Sequence, residues 1–182
     1  MRIISGKYRG KIIHPPKNFN ARPTTDLAKE SLFNILVNQY EIADIAVLDL
    51  FSGTGSISYE FSSRDCPMVH LVENDYKNFA FIVKTSGELG FDQIRATQAN
   101  VKSFLSTCRT KYDIIFADPP YDLNWLRELP DLVLEHELLK PGGVFILEHP
   151  RSVNFAGHQS LKEHRKYGSV NFSFFFYNTD PG

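Results

Sequence analysis

Between residues 46 and 149, short runs of apolar residues alternate with longer stretches in which apolar positions recur every three or four residues. The runs are Val47 to Phe51, Met68 to Glu73, Ile94 to Ala99, Tyr112 to Ala117 and Val144 to Glu148. Each is strand-length and largely apolar throughout, the pattern of strands covered on both faces. The intervening stretches 55–64, 75–89, 101–107 and 123–139 carry helical spacing. Strands separated by helices predict a mostly parallel sheet, and right-handed crossovers make it an open, doubly wound α/β fold. Leu139-Lys140-Pro141-Gly142-Gly143 supplies a proline and glycines to stop the last long helix before Val144.

The two ends of the chain are patterned differently. Arg2-Ile3-Ile4-Ser5-Gly6-Lys7-Tyr8-Arg9-Gly10-Lys11-Ile12-Ile13 has two apolar pairs around a glycine-containing turn, which predicts a small hairpin or extended arm. Pro15, Pro16 and Pro23 keep the next segment extended. Ala28, Leu32, Ile35 and Leu36 then predict a helix over 25–39, with Asp26 where the helix dipole favours an anion. Lys162 to Tyr167 and Val170 to Tyr177 flank Gly168 and predict an antiparallel hairpin at one sheet edge, its aromatic residues serving as core. The expected division is a basic arm or hairpin over 1–24 and one α/β domain over 25–182.

Composition narrows the function classes. With 182 residues, 42% of them hydrophobic, the chain can bury one sizeable core. It has no run of about 18 apolar residues and no signal-peptide core, so a soluble cytoplasmic protein with no membrane contact is expected. Two cysteines, Cys66 and Cys108, have neither metal-ligand spacing nor disulfide density, and no metal is expected. Net charge is −1, yet residues 1 to 22 hold six cations (Arg2, Lys7, Arg9, Lys11, Lys17 and Arg22) and no acid precedes Asp26. The remainder carries 14 cations against 21 acids. A mildly acidic body thus bears a basic arm, suited to neutralising phosphates or to lying solvated.

In an open α/β sheet, ligands sit beyond the carboxyl ends of the strands where strand order reverses. The first strand runs into Phe51-Ser52-Gly53-Thr54-Gly55, whose Gly53 and Gly55 allow a tight turn and close approach of a ligand to backbone. The third glycine of a dinucleotide fingerprint is replaced by Ser58. The second strand ends on Glu73, about 18 residues after Gly55, where an acid accepts both hydroxyls of an adenosine ribose. The third is followed by Asn100 and Val101, placed for an adenine edge. The fourth ends on Asp118-Pro119-Pro120-Tyr121. The two prolines fix their φ angles and contribute no amide hydrogen, so this corner presents a carboxylate and carbonyl acceptors, with Tyr121 as a flat cover. Such a surface suits an exocyclic amino group on a planar ring.

Phe51-Ser52-Gly53-Thr54-Gly55 followed by Asp118-Pro119-Pro120-Tyr121 resembles the S-adenosylmethionine-dependent amino methyltransferases. Arg2-Ile3-Ile4-Ser5-Gly6-Lys7-Tyr8-Arg9-Gly10 followed by Arg22-Pro23-Thr24-Thr25-Asp26 resembles one family among them, the bacterial small-subunit (16S) ribosomal RNA guanine-N2 methyltransferases, and the likeness spans nearly the whole chain. The resemblance implies a seven-stranded Rossmann-like sheet with S-adenosyl-L-methionine as cofactor. It implies that Asp49, Gly53 and Gly55 line the methionine part, Glu73 the ribose, and Asn100 with Val101 the adenine, while Thr24 and Thr25 pack near the cofactor. Asp118 and the Pro119 carbonyl would hold the target amine and Tyr121 would stack on the guanine. Arg2, Lys7, Arg9, Lys11 and Arg22 would bind RNA, either 16S ribosomal RNA or an assembling small subunit, with the chain acting as a monomer. The chain departs from that family's pattern at Leu27, where a basic residue is common, and in its acidic body.

Three alternatives share parts of this pattern. A DNA adenine-N6 methyltransferase uses the same Asp-Pro-Pro-Tyr surface but needs a target-recognition domain. A protein-glutamine methyltransferase usually has Asn in place of Asp118. A catalytically silent RNA-binding module on the same fold is the reading from another class.

Overall fold

The computed structural model describes residues 1–16 and 25–176. Its centre is a seven-stranded sheet of β1 (Ala46–Leu50), β2 (Met68–Glu73), β3 (Ile94–Gln98), β4 (Tyr112–Ala117), β5 (Leu139–His149), β6 (Leu161–Tyr167) and β7 (Val170–Phe176). The strand order is β3-β2-β1-β4-β5-β7-β6; the first five strands are parallel, and β7 pairs antiparallel with both β5 and β6. The doubly wound sheet with an antiparallel C-terminal edge is therefore as expected from the sequence. Helices α1 (Asp26–Gln39), α2 (Ser56–Ser63), α3 (Tyr76–Leu89), α4 (Val101–Thr107) and α5 (Leu129–Glu135) complete the core elements. Order reverses between β1 and β4, so a crevice opens at the carboxyl ends of those strands.

The strands at the centre are buried along their whole length in β1, and in β4 all but Asp113 are buried. Residues pointing to one face pack with α4 and α5 (Leu48, Leu50, Ile115, Leu129, Val133), and those pointing to the other with α1 and α2 (Val47, Ile114, Phe116, Leu32, Phe61). Two buried faces explain why these segments read as unbroken apolar runs. Edge strand β3 is only half-buried, which fits its mixed sequence Ile94-Arg95-Ala96-Thr97-Gln98. The aromatic residues of β7 are core: Phe172, Phe174 and Phe175 are buried, and Phe175 lies 5.7 Å from the ring of Phe145.

The helix expected over 123–139 is much shorter. A 3-10 turn at Leu126–Glu128 leads into α5, which ends at Glu135, and Glu137 takes a left-handed φ of 52° that breaks any continuation. Leu139 already pairs with Tyr112, so Leu139 to Gly143 begins β5 instead of closing a helix. The pairing jumps from Tyr112–Leu139 to Ile114–Val144, and the extra residues bulge outward. Gly143 is needed in that bulge: a Cβ there would stand 2.9 Å from the Lys140 carbonyl oxygen and 3.0 Å from that of Asp113.

The N-terminal segment is a docked hairpin. Ile3 N–H donates to Lys11 O at 2.9 Å and Gly10 N–H to Ile3 O at 2.8 Å, with an isolated bridge between Arg2 and Ile12. Ile3 and Ile13 are buried against Tyr59, Leu71, Ile82 and Phe91. All eight residues of α2 are buried, because the sheet covers one side and the hairpin the other. The hairpin satisfies two polar residues of α2: Ser63 Oγ donates to Ser5 O at 2.7 Å and accepts Tyr8 N–H at 3.0 Å, while the Glu60 carboxylate accepts the amides of Ile4 and Ser5.

Candidate functional site

The chain leaves β1 through a turn with three left-handed residues, Phe51 (φ 58°), Gly53 (φ 56°) and Gly55 (φ 81°). At Phe51, a non-glycine residue, this conformation is disfavoured and is held by its surroundings. Ser52 Oγ–H donates to Asp49 O at 2.8 Å and Ser52 N–H to Val72 O at 3.1 Å. The Glu73 carboxylate accepts Gly53 N–H at 2.7 Å on one oxygen and Asp75 N–H at 2.7 Å on the other, tying the glycine turn to the end of β2. Asp49 is 1% exposed, with Ser58 Oγ–H donating to it at 2.6 Å. Burial pushes Asp49 up to about 7 and the nearby Glu73 adds to the rise, against the hydrogen bonds from Ser58 and Ser52. Burial likewise raises Glu73, against the amides that donate to it.

The third wall comes from α4, capped by Asn100, whose Oδ1 accepts Lys102 N–H at 2.9 Å. Lys102 Nζ lies 4.5 Å from the centre of the Trp125 ring, which tilts against Phe51 at 5.9 Å. Beyond β4, the turn Asp118-Pro119-Pro120-Tyr121 closes with Leu123 N–H donating to Pro120 O at 3.0 Å. Tyr121 Oη–H donates to Glu148 Oε1 at 3.2 Å, joining this turn to the end of β5. These segments enclose a cavity of about 770 Å³, within the range of small-molecule sites.

Of the residues expected from the sequence, Asp49, Gly53, Glu73, Asn100, Val101, Asp118, Pro119 and Tyr121 share that cavity wall. Gly55 and Thr25 are not among the lining residues. Gly55 instead makes room for Tyr59, since a Cβ would lie 2.7 Å from the ring's Cζ. Thr25 caps α1, its Oγ1 accepting Ala28 N–H at 3.2 Å. Thr24 and Arg22 fall outside the described residues. Arg2, Lys7, Arg9 and Lys11 are exposed on the hairpin. Arg2 is also paired with Asp26 at 3.2 Å, and Lys7 Nζ sits 5.4 Å over the Tyr8 ring. Thr54 Oγ1–H donates to Met1 Sδ at 3.3 Å, so the hairpin touches the cavity rim.

Sequence reasoning missed Phe51, Trp125 and Glu148 as wall residues. Glu148 ends an apolar run just as Asp118 does, and that shared position was the available signal. Trp125 was hidden inside the overlong helix. Among the described residues, no group of three or more His, Cys, Asp or Glu side chains is arranged to hold a metal, and no helix is long and apolar enough to cross a membrane. Cys66 is buried, its thiol pushed up to about 11 by burial, which leaves it inert.

The family model described as conserved hypothetical protein 95 matches residues 1–176. The chain is 30% identical over 179 residues to ribosomal RNA small subunit methyltransferase D of Buchnera aphidicola subsp. Baizongia pistaciae, covering 96% of this chain and 91% of that protein. Its fold superposes on the solved structure of Escherichia coli yhhF with a TM-score of 0.83 at 30% identity, covering 96% of each chain. A hypothetical protein of Thermus thermophilus gives a TM-score of 0.86 at 27% identity, covering 96% of this chain and 98% of that one.

Proposed function

The chain belongs to the family of conserved hypothetical protein 95, and from that premise we propose that this S-adenosylmethionine-dependent ribosomal RNA methyltransferase modifies the exocyclic N2 amine of a guanine in small-subunit RNA. The observation that carries the choice of an amine is the corner Asp118-Pro119-Pro120-Tyr121 on the cavity wall, which offers acceptors and an aromatic face in a turn where neither proline has an amide hydrogen. The reading has the chain working as a monomer in the cytoplasm.

The wall opposite in chemistry fits the cofactor. Gly53, Glu73, Asn100, Val101 and Asp49 line the cavity, and in this reading Gly53 lets the ligand approach the turn, Glu73 takes the ribose hydroxyls, Asn100 and Val101 the adenine, and Asp49 the amino-acid end. When bound, S-adenosylmethionine supplies an electrophilic methyl group on a sulfonium.

The protein's task is to prepare the amine. The lone pair of guanine N2 is delocalised into its ring, which makes that nitrogen a weak nucleophile. Asp118 and the Pro119 carbonyl accept its two hydrogens and favour the pyramidal geometry in which the lone pair is available. Preorganised acceptors and alignment supply most of the rate. Once N2 carries the methyl group, one of its protons is acidic, and Asp118 would receive it or relay it to water. A guanine in a duplex cannot reach this corner, so the target base must be unpaired or flipped, with Tyr121 stacking on it.

Binding tests the cofactor side. At about 100 times its Kd, S-adenosylhomocysteine should stabilise the chain by about 2.7 kcal/mol and raise Tm by roughly 5–10 °C. No shift would remove the cofactor assignment. The pH dependence has a definite sign. Asp49 binds a proton more tightly in the folded, ligand-free chain than an ordinary carboxyl does, and an ammonium-bearing ligand favours its ionised form. Calorimetric affinity for S-adenosylhomocysteine should therefore rise from pH 5.5 and level off above about 7, and Asp49→Asn should flatten that rise.

Salt dependence tests the arm. Because the hairpin's backbone and apolar residues are built into the core, charge removal is the clean perturbation. Replacing Lys7, Arg9 and Lys11 together by Gln should reduce the slope of log affinity for RNA against log salt by about 2, with Tm nearly unchanged. An unaltered slope returns these cations to solvent.

A further inference from the structure

We propose that Glu148 is the residue that selects guanine over the other amino-bearing bases, by accepting the N1 hydrogen beside the amine held by Asp118; this rests on the guanine-N2 reading above. Glu148 is 4% exposed yet lies on the cavity wall. A carboxylate is kept in so buried a place only with hydrogen-bond partners. Ala117 of β4 pairs with Leu147 of β5, so Asp118 and Glu148 are the next residues on two neighbouring parallel strands. Tyr121 Oη–H donates to Glu148 Oε1 at 3.2 Å and fastens the second carboxylate to the same corner. A carboxylate offers about four acceptor sites and so can serve several donors at once.

Two neighbouring carboxylates match two neighbouring donors. On guanine, the 2-amino group and N1–H adjoin. The amino groups of adenine and cytosine adjoin a ring nitrogen with a lone pair. With the amine on Asp118, Glu148 meets a hydrogen in guanine and a lone pair in the other two. The second arrangement sets a carboxylate oxygen against a lone pair with no hydrogen between them, which is repulsive in a buried place. Asp118 therefore recognises that an amine is present, and Glu148 recognises which base carries it.

The test compares target RNA bearing guanine with the same RNA bearing 2-aminopurine at that position, which keeps the 2-amino group but has an acceptor at N1. For the unaltered chain, kcat/KM should be about 100-fold lower with 2-aminopurine. In Glu148→Gln, whose amide can present a donor to N1, the ratio should shrink to about tenfold or less, with S-adenosylhomocysteine affinity within about twofold. Equal rates on the two RNAs in the unaltered chain, a comparison that needs no variant, would overturn the inference. So would an unchanged ratio in a folded Glu148→Gln, with guanine methylation itself intact. Failure of the underlying reading looks different: the guanine RNA is then not methylated at N2 at all.

Discussion

Asp118→Ala should lower the turnover of methyl transfer by about 10³-fold while leaving the affinity for S-adenosylhomocysteine within about twofold. The size follows from the role: removal of one preorganised polar group aimed at developing charge costs about 10² to 10³ in kcat, and this one also receives the departing proton. Its selectivity follows from position. Asp118 directly follows β4, whereas the groups proposed to hold the cofactor, Asp49, Gly53 and Glu73, come from β1, the turn after it and β2. Asp118→Asn keeps one acceptor but turns an amide donor toward the amine, so a loss of about 10² is expected. Single-turnover rates with saturating RNA separate this from a binding defect. Near-normal turnover in Asp118→Ala would remove the residue from the chemistry.

Glu60→Ala should cost about 3–5 kcal/mol of stability, a drop in Tm of about 10 °C. Glu60 is fully buried and is approached by Lys29 Nζ at 3.3 Å, by the Arg64 guanidinium, and by the amides of Ile4 at 3.0 Å and Ser5 at 3.0 Å. Lys29 is itself 1% exposed, and its Nζ also donates to Arg2 O at 2.5 Å and Ser56 Oγ at 3.3 Å. Burial pushes the Lys29 pKa down, against the pull of Glu60. Without Glu60, a cation and two hairpin amides lose their acceptor in a dry place. Lys29→Met added to Glu60→Leu should recover the share of the Tm lost to the uncompensated ammonium, but not the share lost to the two amides. Additive losses in the double variant would contradict this account of the joint. The same joint connects the basic hairpin to Ser56, the first residue of α2 after the glycine turn, so the cations proposed to bind RNA are fixed relative to the cavity.

Much of this fold was legible because burial on two faces leaves a plain mark. Val47 to Leu50 and Ile114 to Ala117 are apolar at every position but Asp49, and that exception is a cavity residue. Other parts were obscured by local signals that serve another purpose. Pro141, Gly142 and Gly143 look like a helix stop but form the bulged start of β5. The α2 sequence Ser56-Ile57-Ser58-Tyr59-Glu60-Phe61-Ser62-Ser63 is amphipathic in pattern, yet it is wholly buried, with partners for Glu60 and Ser63 arriving from residues 4 to 8, some 55 positions away. Gly55 looked like a ligand-contact glycine, and its neighbour turned out to be Tyr59. The carboxylates and the Asp-Pro-Pro-Tyr corner were legible since strand ends in such a sheet converge on one crevice; Glu148 escaped because its partner Tyr121 lies 27 residues away.

The central claim is the identity of the methylated atom. The direct measurement incubates the chain with methyl-labelled S-adenosylmethionine and small-subunit particles from an unmodified strain, then digests the RNA and identifies the labelled nucleoside and its position. Label in one nucleoside, N2-methylguanosine at a single unpaired position, is the predicted result. Label on the N6 of adenine, on protein, or nowhere would contradict it.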